Sequence, residues 1–381
     1  MDFELNEEHR MIQATVRDFA ENEILPRVPD HELTGEFPLD LFQKMAALGL
    51  LGLPFPEEYG GAAADTVSYA VTIEELARVS ASIALSYLAH VSLGSTPIYL
   101  FGTEAQKQAW LVPCASGRML AALGLTEPDA GSDTAGIQTR AVLDGEEWVI
   151  NGRKSFITNG SVAGVMVITA VTGRRPDGRK EISCFLVPAD APGFKVGQKY
   201  EKLGLRASDT AELVFEDCRI PRDYLLGQKG EGLHYALRTL DGGRIGIAAM
   251  ATGIAQACLE ASLRYARERV QFGKPLASFQ AIQFKLADMA TNVELARLAT
   301  YRAAWLKDAG RPFTREASIA KLFASEAAME AAHQAVQIHG GFGYMKEYPV
   351  ERYFRDARLL EIGEGTSEIQ RLVIARQLGC R

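Results

Sequence analysis

Three glutamates stand close together near the end of the chain, in the stretch EIGEGTSEIQR. On a continuous helix, Glu361, Glu364 and Glu368 would share one face, and their charges would repel one another. Gly363 and Gly365 flank the middle carboxylate, and glycine favours turns because it tolerates positive φ. We therefore predict that Glu364 lies on a short turn, where a carboxylate could act as a catalytic base.

The segment after this turn carries a helix-start pattern. Ser367 and Gln370 have the S-x-x-Q spacing of a capping box, apolar residues follow at helical spacing, and Gly379 ends the run. Glu364 would then lie just before the positive end of a helix. Two interpretations stay open. The carboxylate could stabilise the helix dipole, by about 0.3–1 kcal/mol, or it could be a general base beside N–H groups that polarise a bound carbonyl.

Composition and charge limit the classes of function. The chain of 381 residues predicts two or three domains, and its 47% hydrophobic and 23% charged residues are typical of a globular protein. A net charge of −7 argues against nucleic acid as the main partner, and any phosphate site must be built from local donors. The six histidines and five cysteines show no metal-ligand spacing and no CxxC pair, so we expect no metal site.

One uncharged stretch is long enough to cross a bilayer. Residues 79–103 contain no Asp, Glu, Lys or Arg, but they include Gly94, Pro97, His90 and several serines. We predict a buried helix that is broken near Pro97 rather than a membrane span. The first residues show neither a signal-peptide nor a transit pattern, so we expect a cytoplasmic protein or the mature form of an organellar matrix protein.

Secondary-structure signals divide the chain into three regions. Residues 1–120 show helical spacing of apolar residues, residues 121–230 contain short β-branched and aromatic runs, and residues 231–381 contain three long alanine-rich helices and a shorter one. We predict a mostly helical α+β protein with an N-terminal helical domain, a central β-barrel or sandwich-like domain and a C-terminal antiparallel four-helix bundle. Neither a G-x-G-x-x-G motif nor a P-loop occurs.

Five motifs resemble those of the acyl-CoA dehydrogenase family. They are LTEPDAGSD, KSFITNG, ERVQFGKPLASFQAIQFKLADM, QIHGGFGY and GEGTSEIQR, and they follow the family's order through nearly the whole chain. The resemblance implies a helix–sheet–helix subunit that binds FAD and converts an acyl-CoA to its trans-2-enoyl-CoA. It also implies a homotetramer that passes electrons to an electron-transferring flavoprotein.

For the reaction itself, the resemblance assigns Glu364 as the base that removes the α-proton, while flavin N5 accepts the hydride from the β-carbon. The backbone N–H of Glu364 and a flavin hydroxyl would bind the thioester oxygen. We expect burial to raise the pKa of this glutamate from about 4.3 toward the working pH. Some relatives carry the base at the position of Gly243, where glycine cannot serve. The substrate-binding residues implied by the resemblance are Ser132, Asp241, Arg244, Gly363, Glu364 and Gly365. An ordinary surface cation is the other interpretation of Arg244.

The same resemblance implies the flavin contacts. Residues near the ring and phosphates are Leu123, Leu125, Thr126, Gly131, Ser132, Phe156 and Thr158. Arg269, Gln271, Phe272, Gln337 and Gly341 would reach the FAD of a neighbouring subunit, and Thr366 and Glu368 would also contact FAD. An arginine suits a pyrophosphate because its planar guanidinium donates several hydrogen bonds.

Two departures from the family pattern bear on electron exit and on the substrate. Phe156 stands where many relatives have a tryptophan beside the flavin, at the surface for electron exit. Gly363 stands where straight-chain relatives often have tyrosine, and losing that ring should open space near the acyl α- and β-carbons, as in branched-chain members. Since the segments GRIGIA, GIAQ and FKLADM resemble short-chain enzymes, we predict a short straight- or branched-chain acyl-CoA.

Three other functions remain as alternatives. They are a CoA-thioester lyase or dehydratase that uses the base without net redox, an inactive CoA-binding protein, and an acyl-CoA oxidase. A flavin-free protein would favour the first two, and oxygen consumption with peroxide release would favour the oxidase.

Overall fold

The computed structural model describes residues 4–380, and within them helices, a sheet and further helices follow one another along the chain. The predicted fold class is confirmed, with helical N- and C-terminal regions around a central β-sheet region. Our boundaries near residues 120 and 230 stay predictions.

In the part of the chain that the structure describes, eight α-helices precede the sheet. They are α1 (Glu7–Phe19), α2 (Val28–Thr34), α3 (Leu39–Ala47), α4 (Thr66–Val79), α5 (Ala81–Leu88), α6 (Thr96–Phe101), α7 (Glu104–Gln106) and α8 (Val112–Ala115). Asn6 and Asp65 cap α1 and α4, because each side chain accepts a hydrogen bond from the backbone N–H three residues later.

The uncharged stretch of residues 79–103 is buried helix for most of its length, as predicted. It is not broken at Pro97, however. A π-helical segment, Ala89–Ser95, joins α5 to α6, and Pro97 lies in the first turn of α6. Proline has no N–H to donate to the carbonyl one turn earlier. The helical hydrogen bonds are therefore irregular in the turn before Pro97, and the helix continues through the proline itself. In the described part of the chain, one helix, Gly232–Glu268, is apolar and long enough to cross a membrane, and 83% of its apolar window is buried in the protein.

The central region forms one eight-stranded sheet. Its strands are β1 (Ala121–Gly124), β2 (Arg140–Asp144), β3 (Glu147–Thr158), β4 (Val165–Arg174), β5 (Lys180–Pro188), β6 (Phe194–Lys199), β7 (Thr210–Pro221) and β8 (Leu225–Leu226). Their order is β6-β7-β3-β2-β4-β5-β8, with β1 parallel to β4. A separate hairpin pairs β9 (Val270–Gln271) with β10 (Lys274–Pro275).

Both faces of β4 are apolar because each face covers a different core. Val165 and Val167 pack into the core shared with the helices, whereas Met166 and Ile168 pack with Trp148 in a second core within the sheet region. This alternation follows the two-residue period of a strand. The sheet is therefore fixed to the helical regions on one side and closed over its own core on the other.

Within the described residues, five α-helices follow the sheet: α9 (Gly232–Glu268), α10 (Gln280–Asp308), α11 (Thr314–His339), α12 (Val350–Ala357) and α13 (Ser367–Gln377). The long helices α9, α10 and α11 pack against one another, α13 packs on α11, and α4 from the N-terminal region packs on α9. Alanines and glycines line the buried side of α9, and small residues let helix backbones approach closely.

The short helix α12 joins all three regions. Arg355 donates to Glu32 of the N-terminal region at 3.0 Å and to the carbonyl of Leu203 in the sheet region at 3.1 Å. The next residue, Asp356, is buried and accepts from the backbone N–H of Leu205 at 2.6 Å. The hydrogen bonds of Arg355 and Asp356 therefore fix the position of α12 against both the N-terminal region and the sheet region.

Candidate active site

The turn around Glu364 has the conformation that its glycines suggested. A 3₁₀-helix, Arg358–Glu361, precedes it, and Glu364 and Gly365 both have positive φ, +53° and +94°. A non-glycine residue with positive φ costs about 1–3 kcal/mol, so other contacts must hold the turn. The three glutamates do not share a face. Glu361 pairs with Arg358, and Glu368 is exposed in the first turn of α13.

The predicted cap of α13 is wrong by one residue. Thr366 is the N-cap, and its hydroxyl accepts from the backbone N–H of Ile369 at 3.3 Å. Thr366 has an extended ψ of 165°, whereas Ser367 is already helical, so only the threonine hydroxyl can face the free N–H groups. Gln370 reaches back to the turn instead, and donates to the carbonyls of Glu364 at 3.3 Å and Gly365 at 2.9 Å.

The Glu364 carboxylate is buried and has no hydrogen-bond partner. Although the residue as a whole is half-buried, both carboxylate oxygens are shielded from solvent, and no donor among residues 4–380 reaches either of them. Burial raises the pKa of Glu364 to about 7, while the positive charges of Lys321 and Arg244 act in the opposite direction. A carboxylate with this pKa is a useful base near neutral pH.

Helix α9 passes directly against this carboxylate. A Cβ added to Gly243 would lie 2.1 Å from Oε2 of Glu364 and 3.1 Å from its Cδ. A side chain at 243 would therefore displace the carboxylate from the position described. At Gly363, by contrast, the nearest atom to an added Cβ belongs to Leu359, at 3.6 Å, so a Cβ there would make only ordinary van der Waals contacts.

Arg244 is not a surface cation, because only 5% of it is exposed. Its Nη1 donates to Asp241 at 2.5 Å and to the hydroxyl of Ser318 at 3.3 Å, and Thr314 donates to the other oxygen of Asp241 at 2.7 Å. Burial lowers the pKa of Arg244, and the charges of Asp241 and Glu364 act against this shift. The structure thus brings Asp241, Arg244 and Glu364 into one electrostatic cluster.

A further member of this cluster, Lys321, was not predicted from the sequence. It lies on α11 with its side chain fully buried, and its Nζ donates to the carbonyl of Gly365 at 2.8 Å. Burial lowers the pKa of Lys321 to about 8, although the charge of Glu364 favours the ammonium. A single lysine inside the apolar, alanine-rich run ASIAKLFAS was the available signal.

The residues assigned to the flavin ring and phosphates lie in and after β1. Leu123 and Leu125 are half-buried and buried, Thr126 follows them, and Gly131 and Ser132 are exposed on the next loop. A Cβ added to Gly131 would have no neighbour within 4 Å, so its backbone is open to close approach by a ligand.

A buried ion pair that sequence analysis also missed supports this loop. Lys154 donates to Glu127 at 2.8 Å and to the carbonyl of Leu125 at 3.2 Å. The carboxylate of Glu127 in turn accepts from the backbone N–H groups of Gln138 at 2.6 Å and Thr139 at 3.1 Å. The pair therefore ties β3 to both ends of the loop that carries Gly131 and Ser132.

Phe156 lies at a bulge near the end of β3. Its φ is +60°, its side chain is 65% exposed, and its ring centroid is 4.9 Å from that of Tyr200. The pairing of β3 with β7 is irregular between Lys154 and Ile157, which turns the aromatic ring out of the sheet. Thr158 ends the strand opposite Thr210.

The residues assigned to a neighbouring subunit's FAD meet in a separate groove of about 640 Å³. Arg269, Gln271, Gln337 and Gly341 line it, together with the aromatic side chains of Tyr265, His339 and Phe342. Phe272 is not in the lining but lies beside Gln271, 94% exposed and with a φ of +52°. Four of the five assigned residues are thus brought together by the ends of α9 and α11.

This groove fits a diphosphate group. Arg269 lies over the ring of Phe342, 5.6 Å from its centroid, and no carboxylate in the described part of the chain pairs with it. Gln337 supplies an amide, and a Cβ added to Gly341 would have no neighbour within 4 Å. An unpaired guanidinium beside open backbone and an amide is a donor set that suits the pyrophosphate of FAD.

Comparison with known proteins covers nearly the whole chain. Family models for the N-terminal, middle and C-terminal domains of acyl-CoA dehydrogenase match residues 6–118, 122–218 and 230–379. A probable acyl-CoA dehydrogenase of Bacillus subtilis, YngJ, is 59% identical over 99% of this chain and 100% of its own. The human mitochondrial short-chain specific acyl-CoA dehydrogenase is 51% identical over 98% of this chain and 91% of its own.

Solved structures agree with these relatives. Butyryl-CoA dehydrogenase from Megasphaera elsdenii superposes with a TM-score of 0.97, at 44% identity over 99% of this chain and 100% of its own. A chain from a structure of the electron transferring flavoprotein of Acidaminococcus fermentans has the same TM-score, at 47% identity over 99% of both chains. This chain therefore belongs to the acyl-CoA dehydrogenase family, FAD-dependent oxidoreductases that act on CH–CH groups.

Proposed function

We propose that this protein dehydrogenates a short straight- or branched-chain acyl-CoA between its α- and β-carbons, with Glu364 as the base. The observation that carries the proposal is the state of that carboxylate. It is buried, it has no hydrogen-bond partner among the described residues, and its pKa is raised to about 7. A carboxylate that merely stabilised the helix dipole would face the N–H groups of α13, but Thr366 occupies that position.

In the proposed reaction, Glu364 and the residues around it have different roles. Its carboxylate takes the α-proton of the bound thioester, which is weakly acidic and needs a base held in line with the C–H bond. In the described part of the chain, no acceptor takes the backbone N–H of Glu364, so this group is free to donate to the thioester oxygen. Arg244, held by Asp241, keeps positive charge near the carboxylate.

FAD, when bound, supplies the acceptor for the hydride that leaves the β-carbon. Leu123, Leu125, Thr126, Gly131, Ser132, Phe156 and Thr158 would hold one part of it, and Thr366 and Glu368 would also contact it. Arg269, Gln271, Gln337 and Gly341 would bind the pyrophosphate region of the FAD of an adjacent subunit, with Phe272 beside them. A cofactor shared in this way requires an oligomer, which we propose is a homotetramer.

Electrons would leave to an electron-transferring flavoprotein. The similarity to a chain from the Acidaminococcus structure supports this partner, and the exposed ring pair of Phe156 and Tyr200 offers an apolar contact at the surface. A short acyl chain is supported by the names of the human and Megasphaera relatives. The absence of a side chain at Gly363 is compatible with a branch near the reacting carbons.

Replacing the base while keeping flavin bound tests the proposal. Glu364→Gln should retain FAD but slow anaerobic bleaching of the flavin by butyryl-CoA by about 100-fold or more, the contribution expected of a general base. Glu330→Gln, which changes an exposed carboxylate on α11 with no assigned role in catalysis or cofactor binding, is the control and should bleach at close to the wild-type rate. Undiminished bleaching by Glu364→Gln would refute the assignment. Peroxide release in air in place of electron transfer to a flavoprotein would favour an oxidase.

A further inference from the structure

The ammonium of Lys321 is unusually placed for a lysine. Its side chain is fully buried on α11, and in the described part of the chain no carboxylate oxygen lies within ion-pairing distance of its Nζ. A buried charge is costly unless it is hydrogen-bonded. The bond that it makes is with the carbonyl of Gly365, at 2.8 Å.

That carbonyl belongs to the strained part of the turn. Glu364 and Gly365 have consecutive positive φ angles, and the strain at Glu364 persists only if the surrounding contacts impose it. Two buried donors meet at the Gly365 carbonyl from different helices, Lys321 from α11 and Gln370 from α13. Together they fix the peptide directly after Glu364, and hence the direction in which its side chain leaves the backbone.

The lysine also acts on the carboxylate through its charge. The charged and titratable side chains that act on Glu364 from the packed helices are Lys321 on α11, Arg244 on α9 with its partner Asp241, and Tyr69 on α4. Glu361 and Glu368, on the same segment as Glu364, act on Lys321. Lys321 is the largest of the influences that lower the pKa of Glu364. Arg244 is already engaged by Asp241, so Lys321 is the cation free to respond to Glu364.

We propose that Lys321 is a positioning residue for the reaction, which holds the catalytic turn through the Gly365 carbonyl and keeps the Glu364 carboxylate ionised through its charge. The inference rests on the proposed role of Glu364. Without the lysine, the carboxylate would be buried with one cation fewer, and it would take up a proton at higher pH. The turn would also lose one of its two donors.

The test is the pH dependence of the second-order rate constant for anaerobic flavin bleaching by butyryl-CoA. In wild type this constant should rise with pH through about 7, as Glu364 loses its proton. In Lys321→Met the midpoint should move upward by about one unit, and the rate at pH 7 should therefore fall about fivefold. Lys321→Arg retains the charge, so its midpoint should stay at the wild-type value.

A second uncharged variant separates the effect of the Lys321 charge from that of its hydrogen bond. It also keeps the proposal testable if the methionine variant folds poorly. Lys321→Gln keeps a donor for the Gly365 carbonyl but has no charge, so its midpoint should rise as in Lys321→Met, with a plateau rate closer to wild type. Lys285→Met is the matched control, because Lys285 bonds Gln334 on the same helix α11 and does not touch the turn. Its midpoint should not change.

The outcomes distinguish this inference from the proposed function. If the uncharged variants lower thermal stability but keep the wild-type midpoint, Lys321 is only structural and the inference is wrong. If Glu364→Gln bleaches normally in the same assay, the proposed base is wrong. An inactive Glu364→Gln combined with an unmoved midpoint in Lys321→Gln would leave the function standing and reject the positioning role alone.

Discussion

Gly243 offers the sharpest perturbation of the proposed base, because a single methyl group there would meet the carboxylate most closely and would otherwise press only on the end of the Leu93 side chain, at 3.1 Å. The Cβ of Gly243→Ala would lie 2.1 Å from Oε2 of Glu364, and real Cβ contacts essentially never fall below 3.0 Å. The oxygen must therefore move by about 0.9 Å. Because it is the end of a flexible side chain, this movement should cost the fold little.

The displacement of the carboxylate should lower the reaction rate instead. A misplacement of about 1 Å can lower a rate by about 100-fold, since the base must align with the C–H bond that it breaks. Alanine also favours a helix by up to about 1 kcal/mol over glycine. We therefore expect Gly243→Ala to bind flavin, to unfold at a temperature close to or above that of wild type, and to have a kcat/KM about 100-fold lower.

Gly242 is the matched control. It precedes Gly243 on α9, and the nearest atom to its added Cβ is Nζ of Lys307, at 3.8 Å, which is an ordinary contact. Gly242→Ala should gain the same helix propensity and keep nearly full activity. The assay is steady-state reduction of an artificial electron acceptor with butyryl-CoA, beside a thermal melt and a flavin absorbance spectrum. Equal activity of the two alanine variants would refute the idea that Glu364 works from the position described.

Two further predictions concern the substrate and the cofactor. Butyryl- and isovaleryl-CoA should each bleach the flavin faster than octanoyl-CoA, because the segments GRIGIA, GIAQ and FKLADM resemble short-chain enzymes and Gly363 has no side chain to exclude a branch. An octanoyl preference would contradict this prediction. Arg269→Gln should raise the dissociation constant of FAD by about tenfold or more, the loss expected for a charge-assisted hydrogen bond. Arg267→Gln, an exposed neighbour outside the groove, is the control for equilibrium dialysis, and equal retention by both variants would rule out the pyrophosphate assignment.

Local signals were enough to predict the sequence of regions and the turn. Helical spacing, β-branched runs and glycine punctuation depend on neighbours along the chain, and they gave the helix–sheet–helix order that the structure confirms. The flanking glycines likewise indicated that Glu364 leaves the helix, and its φ is positive. Two equivalent hydroxyls stand side by side at Thr366 and Ser367, however, and spacing alone did not show which one caps α13.

Long-range contacts could not be predicted in this way. Lys321 is 44 residues from Gly365 along the chain, and Lys154 is 27 residues from Glu127, so no local pattern connects either pair. Each lysine is paired only because packing brings distant elements together. The same holds for Gly243, where the conflict between a side chain and the carboxylate is visible only once Glu364 is seen beside α9. The resemblance to a family supplied the residue roles, which stay predictions.

The position of α12 has a consequence for the thermal inactivation of the enzyme. The chain runs from this helix through one 3₁₀-turn to Glu364, and Arg355 and Asp356 anchor the helix to both other regions. If the contacts of Arg355 and Asp356 loosened, α12 would move, and Glu364 would move with it because only about two turns of backbone separate them. The rate of turnover should consequently fall at a lower temperature than the one at which circular dichroism detects loss of secondary structure.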